Sequence, residues 1–335
     1  MSQDFVTMTR SQAESLIADA FINSKVSDAN AKSVAQALVA AEVDGQRGHG
    51  FSRVGSYAAQ SKSGKVDGFA TPKLTRDKPS FLKVDAKNGF AYPAVEMAIE
   101  ALVEAAKSNG IAGVAISNSH HCGQLSRHVE QLAERGLLAT MVANTPKAIA
   151  PWGGSKPLFG TNPIAFGVPR DGAAPLVIDL SLSKVARGKI MAANKSGEAI
   201  PEGWALDSGG NDTTDPKAAL AGSMIPMGDA KGAALALLVE ILAATVTGSN
   251  YSFEATSFFD GKGEPPSVGQ FILAIDTGAT HDLFAQRLEA LLGEMLEQDG
   301  TRLPGEKRLN GRKACEEQGL SVPKAMLEEI NALAV

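Results

Sequence analysis

Within one short stretch the chain gathers side chains suited to acid–base work on a carboxylic acid: Asp44-Gly-Gln-Arg-Gly-His-Gly-Phe-Ser-Arg53. Histidine has the side-chain pKa nearest neutrality, so His49 can give or take a proton at working pH. Arg53 offers a planar fork of donors that suits a carboxylate. Gly45, Gly48 and Gly50 add nothing to a core, and their use here is to let backbone or ligand approach the imidazole. Together these residues suggest a site that holds an acid and protonates it. A Gly-rich turn around a buried, satisfied histidine is the plainer alternative.

Five further stretches carry candidate chemistry. Ser117-Asn-Ser-His-His-Cys-Gly-Gln-Leu125 links a strand-like segment to a helix-like one, so its amides and the helix N-terminus can receive phosphate. His120, His121, Cys122 and the downstream His128 look like metal ligands, but adjacent residues rarely converge on one ion, and no metal is expected. Thr161 and Asn162, in Lys156-Pro-Leu-Phe-Gly-Thr-Asn-Pro163, are short polar groups useful to a carbonyl or carboxylate, or ordinary turn residues. Asp179 closes a short strand, where an acid meets a ribose hydroxyl or caps a helix. Lys231 opens a long helix, an unfavourable place for a cation unless an anion joins it. Arg302-Leu-Pro-Gly-Glu-Lys-Arg308 reads as a phosphate clamp or as a solvated charge run.

The elements that must position these groups follow from periodicity. Thr9 can cap a helix over Ser11–Ile22, and Ser27 or Asp28 a second one that ends at Gly45, a natural C-cap. A short helix around Val54–Ser61 precedes a Gly- and Pro-punctuated boundary at Gly64–Pro79. Strands are expected at Phe81–Val84, Ile111–Ile116, Leu137–Val142, Ile164–Val168, Leu176–Ile178 and Gln270–Ile275. Helices are expected at Pro93–Ser108, through Glu134, at Lys231–Thr247 and Asp282–Gln298, and from Pro323 onward. Residues 194–217 read as a polar excursion and Gly300–Lys313 as a basic, turn-rich tail. The apolar run Gly232–Val246, with Glu240 at its middle, has the length of a buried core helix and is short for a membrane span. Alternating strands and helices imply an α/β layer with ligands at strand C-terminal ends.

A chain of 335 residues exceeds the usual single core, so two subdomains are expected. A net charge of −5 argues against a nucleic-acid partner, which calls for a basic face. Met1–Thr7 lacks a basic end and an apolar core, so no secretory leader is read, and two cysteines cannot form a disulfide framework. Both point to the cytoplasm, with no membrane partner. There is no G-x-G-x-x-G after a strand and no G-x-x-x-x-G-K-[ST], so a Rossmann or P-loop domain is not expected.

Gly48-His-Gly-Phe-Ser-Arg53, Ser119-His-His121, Phe159-Gly-Thr-Asn-Pro163, Asp179-Leu-Ser181, Pro201-Glu-Gly203, Thr214-Asp-Pro216, Lys231-Gly232 and Arg302-Leu-Pro-Gly305 run nearly the whole length. On these the chain resembles the malate/L-lactate dehydrogenase family that lacks a Rossmann fold, which includes ureidoglycolate and sulfolactate dehydrogenases. It looks most like the Δ1-piperideine-2-carboxylate/Δ1-pyrroline-2-carboxylate reductases within it.

The resemblance implies an α/β fold whose non-Rossmann mixed-sheet domain, about residues 81–275 with an excursion at 194–227, binds NAD(P). A helical substrate and dimer domain would come from residues 1–80 and 276–335. It implies His49 as proton donor, and Arg53, Thr161 and the Arg187-Gly188 backbone as the substrate pocket. The cofactor would lie along His121, Cys122, Gly123, Gln124 and Leu125; along Asp179, Leu180 and Ser181; along Ala230 and Lys231; and along Arg302, Leu303, Pro304, Gly305, Glu306, Lys307 and Arg308. NADPH is favoured because Arg302, Lys307 and Arg308 can accept a 2′-phosphate, while Asp179 on a free ribose would suit NADH. The partners implied are a small carboxylate substrate and a second copy of the chain.

Two departures stand out. Gly48 replaces the serine that precedes this histidine in the imine reductases, and Lys189 follows Arg187-Gly188 where some members place aspartate. A serine–aspartate relay to His49 cannot operate. His49 takes its proton from water, or Lys189 joins a different catalytic network. The expected reaction is reduction of Δ1-pyrroline-2-carboxylate to L-proline. The alternative is a 2-hydroxyacid dehydrogenase for malate, lactate, ureidoglycolate or sulfolactate, and a non-catalytic ligand-binding module is the remote one.

Overall fold

Helix signals at the N-terminus are met in full. The computed structural model describes residues 4–335; Met1–Gln3, part of the segment read as free of a leader, lie outside the described residues. After β1 (Phe5–Met8), Thr9 and Gln12 form a reciprocal capping box on α1 (Arg10–Ile22). Ser27 caps α2 (Asp28–Val43), which ends in a Schellman turn: Gly45 at φ +75° donates to the Glu42 carbonyl, and Gln46 to that of Ala41. Two single-turn 3-10 helices, Arg47–His49 and Phe51–Arg53, lead into α3 (Val54–Ser63).

The chain continues with β2 (Lys73–Thr75), β3 (Phe81–Asp85), α4 (Ala91–Asn109), β4 (Ile111–Ser119), α5 (Leu125–Ala133), β5 (Leu137–Ala143), β6 (Ile164–Val168) and β7 (Leu176–Leu180). Next come α6 (Arg187–Ser196), β8 (Ala205–Leu206), α7 (Pro216–Ala221), β9 (Ser223–Met224), α8 (Ala230–Glu240) and β10 (Val268–Asp276). The last elements are α9 (Phe284–Leu296), α10 (Glu306–Gln318), β11 (Leu320–Pro323) and α11 (Lys324–Ala334).

Among the described residues one seven-stranded sheet runs β2-β3-β4-β10-β5-β6-β7. Only β3 and β4 pair in parallel; the rest is antiparallel, so the α/β layer is a mixed sheet. Its core joins α4 and α5 to the strands through Leu82, Ile99, Leu102, Val114, Leu132 and Met141. The C-terminal ends of β4, β5 and β7 lie at one edge, where ligands were expected. The N-terminal ends of β6 and β10 share that edge, because Ile164 faces Val142 and Gln270 faces Ala143.

The two ends of the chain meet in a second core. Ile17, Phe21, Leu38 and Tyr57 pack with Leu320, Val322 and Ile330, and β1 pairs antiparallel with β11. Full burial of such side chains contributes about 1.5–3 kcal/mol each, which is what draws the C-terminal residues onto α1–α3.

Several expectations need correction. The Gly64–Pro79 boundary contains β2, an edge strand too short for alternation to show. Most of the tail read as turn-rich is the helix α10, which is stabilised by long-range ion pairs rather than by an apolar stripe. The excursion holds β8, α7 and β9, which pack on Ile149 and Phe159. Asp179 lies inside β7, not past its end. The long helix gives way to a π-turn at Ile241–Thr245. It is also only half buried: Gly232, Ala233, Ala236 and Val239 face inward, while Leu235, Leu237, Leu238 and Ile241 stay exposed. The inner face is small because Met227 O approaches to 1.9 Å of where a Gly232 side chain would begin. No helix among the described residues is long and apolar enough to cross a membrane.

Candidate active site

His49 ends the first single-turn helix with its ring stacked on that of His121, centroids 5.1 Å apart and planes 8° from parallel. Tyr57 hydrogen-bonds His121 Nδ1 and, at 3.4 Å, the hydroxyl of Tyr92. Arg53 Nε donates to the Gly48 carbonyl at 2.6 Å, and its guanidinium lies 4.6 Å from the Phe259 ring centre. These contacts fix the arginine while Nη1 stays buried without a protein partner, as does His49 Nδ1.

Burial first, and the Arg53 charge second, push the His49 pKa down to about 4, so the imidazole is neutral at physiological pH. The same two causes hold His120 at about 3 and His121 well below its ordinary value. Burial drives the Cys122 thiol up to about 12, so it is no nucleophile. His128 Nε2 donates to the Cys122 carbonyl at 2.9 Å and braces the loop. No group of three His, Cys, Asp or Glu side chains among the described residues is arranged to hold a metal ion.

The glycines divide their work. Gly48 lines the cavity with nothing within 4 Å of a Cβ, an open approach to the histidine. Gly50 serves a different purpose from the one expected. A Cβ there would stand 2.3 Å from Glu42 Oε2, which accepts from the Phe51 amide at 3.1 Å.

A cavity of about 970 Å³ opens at this sheet edge. It brings together His49, Arg53, the loop His121–Leu125, Thr161, Asp179–Ser181, Arg187, Gly188 and Lys189. Ala230, Lys231 and Arg302–Arg308 do not line it. Arg308 is turned inward: its Nη2 donates to Glu130 at 3.1 Å, and Arg312 bridges Asp44 and Glu130 with bonds of 2.6–3.0 Å. That cluster ties the His49 loop to α10, and Gln124 joins it by donating to Asp44 at 2.9 Å. Arg302, on the loop before α10, and Lys307, in the first turn of α10, remain exposed, and Gly305 between them lies against the Val177 carbonyl of β7.

Asp179 acts as a helix cap. It accepts from the Ser126 amide at 2.8 Å, so the N-terminus of α5, read as a phosphate receptor, faces a carboxylate. Asp179 is also the only acid lining the cavity among the described residues, against Arg47, Arg53, Lys147, Arg187 and Lys189. Burial lowers the Arg187 pKa, and no carboxylate among the described residues pairs with it. Lys189 Nζ stands 5.9 Å over the Trp204 ring centre.

Sequence reasoning missed Tyr57, Asn144–Lys147, Phe258, Phe259 and Gln270, all beside or within the cavity. Tyr57 was findable, because it follows Arg53 at i+4 and so shares its helix face. The others come from distant segments with no local signature.

The sequence profile described as malate/L-lactate dehydrogenase matches residues 8–331. A (2R)-3-sulfolactate dehydrogenase (NADP(+)) from Chromohalobacter salexigens is 52% identical over 305 residues, 91% of each chain. A Delta(1)-pyrroline-2-carboxylate/Delta(1)-piperideine-2-carboxylate reductase from Pseudomonas putida is 41% identical over 328 residues, 96% of this chain and 95% of that one. The crystal structure of delta1-piperideine-2-carboxylate reductase from Pseudomonas syringae pvar.tomato superposes with a TM-score of 0.92 at 38% identity, covering 98% of this chain and 99% of the other.

Proposed function

The chain belongs to the malate/L-lactate dehydrogenase family, and we propose that it is an NADP(H)-dependent oxidoreductase interconverting a 2-hydroxy acid and a 2-oxo acid that bears a second anionic group, as sulfolactate does. The observation that carries this reading is the charge of the cavity: among the described residues five cationic side chains line it, of which Arg47 also pairs with Glu42 at 3.7 Å, against one carboxylate already engaged by Ser126. A single carboxylate needs Arg53 alone. The cofactor's phosphates account for part of the remainder, and Arg187, half-buried and without a carboxylate partner among the described residues, suits a second anion on the substrate.

The residues fit the cofactor. The cavity has the size of a small-molecule site, and Gln124 Oε1, Gln270 Oε1, His120 Nδ1 and His49 Nδ1 are buried polar atoms without protein partners. His121–Leu125 and Asp179–Ser181 would hold it. Arg302 and Lys307, beside β7, would meet a 2′-phosphate. Bound NADP(H) supplies or accepts the hydride.

His49, neutral and half-buried, takes the hydroxyl proton during oxidation and returns it to the carbonyl oxygen during reduction. Arg53 binds the carboxylate and keeps His49 deprotonated between turnovers. Thr161 orients the oxygen. Lys189 stands where a relay aspartate is missing, which suits an anionic substrate better than an iminium.

The cyclic imine is the second reading, favoured by the likeness to the reductases in sequence and fold. Arg187 separates the two. Replacing Arg187 with methionine keeps an unbranched, flexible side chain and removes the charge. The expected outcome is a loss of about a hundredfold in kcat/KM for sulfopyruvate with NADPH, and less than about threefold for pyruvate or Δ1-pyrroline-2-carboxylate, which lack the second anion. Equal losses on all three substrates contradict the assignment.

A further inference from the structure

We propose that Glu240 is a positioning residue for the acid end of the cavity, acting through Thr161 and the segment that carries Phe259. It lies at the end of α8, whose other residues are all apolar but Lys231, is 5% exposed, and pairs with no cation among the described residues. An acid is costly to bury, so a place in such a helix calls for a compensating set of donors. That set is present. Glu240 accepts from the Ser252 amide at 2.6 Å, the Ser252 hydroxyl at 2.7 Å, Asn162 Nδ2 at 2.8 Å and Asn144 Nδ2 at 3.4 Å.

Each donor begins a wall of the site. Asn162 stands at φ +40° next to Thr161, in the left-handed region that asparagine enters more readily than most residues, with its side chain fixed on Glu240. Asn144 precedes Thr145, whose hydroxyl accepts from the Thr161 amide at 3.0 Å, and it receives the Gly269 amide beside Gln270. Ser252 heads the segment that places Phe258 against His120 and His121, and Phe259 under Arg53. One carboxylate therefore fastens the segments bearing Thr161 and Phe259. The helix departs into a π-turn at the next residue, a distortion that accompanies functional sites in other folds.

This inference rests on the reading of the cavity as an oxo-acid site, and its test keeps the two apart. Glu240→Gln preserves volume but replaces one acceptor oxygen by an amide donor, which against Asn162 Nδ2 sets donor against donor. With NADPH and sulfopyruvate, KM for the acid should rise about tenfold, while KM for NADPH stays within about twofold. In a Thr161→Val background the same substitution should add little, because both act on one contact. If Glu240→Gln does not fold, Ser252→Ala removes one bond to the carboxylate and should raise the same constant about threefold. A lowered melting temperature with both KM values unchanged or equally changed overturns the proposal, as do fully multiplicative effects with Thr161→Val or a silent Ser252→Ala. A wild-type chain inactive on every acid instead removes the functional reading itself.

Discussion

Replacing His49 with alanine lowers kcat for the hydroxy acid about a thousandfold and leaves NADPH binding, followed by fluorescence, within about twofold. The size follows from position. His49 lines the cavity beside Arg53 with a ring nitrogen sealed from solvent and unclaimed by protein, whereas His120, whose Nδ1 is also unclaimed, is tied through Nε2 to Gln60. Its pKa, depressed to about 4 by burial and then by Arg53, sets the pH dependence. The neutral base is already present at physiological pH, so kcat/KM for oxidation should stay flat as pH falls, until protonation near pH 4 removes it. Reduction needs the imidazolium, so its kcat/KM should climb as pH falls toward the same value. The alanine variant should lose both limbs. A loss of less than about tenfold, or an unchanged pH profile, would assign the proton to another group.

Replacing Arg53 with lysine raises KM for the acid about a hundredfold with a smaller change in kcat. A lysine keeps the charge but loses the fork, the bond to the Gly48 carbonyl at 2.6 Å and the stacking on Phe259. Truncating one partner of a buried, hydrogen-bonded ion pair costs about 2–5 kcal/mol, and the substrate carboxylate is the partner here. Arg53→Met carries a second signature. Removing the neighbouring positive charge relieves one cause of the His49 depression, so the low-pH limb for oxidation should move upward. Steady-state kinetics across pH checks both, and an unaltered KM for the acid in Arg53→Lys rejects the carboxylate role.

What was legible in the sequence was local. His49 and Arg53 lie four residues apart, and the loop His121–Leu125 and the strand end Asp179–Ser181 follow from strands that periodicity finds, so all three converge on one cavity. Most helices and strands were placed to within a few residues, because capping residues and apolar spacing are short-range signals. What was hidden depends on distant partners. Nothing near Arg308 reveals that Asp44 and Glu130 draw α10 inward and turn the arginine away from a ligand. Nothing around Glu240 reveals the ring of donors brought by Asn144, Asn162 and Ser252. The sheet order was equally concealed, since β10 inserts between β4 and β5 from more than a hundred residues away. Gly50 was misread because its neighbour, Glu42, is on the preceding helix and not in the ligand's path.

The most direct measurement is NADPH oxidation by the purified chain with a panel of four acids: sulfopyruvate, oxaloacetate, pyruvate and Δ1-pyrroline-2-carboxylate. The charge of the cavity predicts kcat/KM at least about tenfold higher for sulfopyruvate or oxaloacetate than for pyruvate and the cyclic imine. Fastest turnover of the imine, or no NADPH consumption with any of the four, would contradict it.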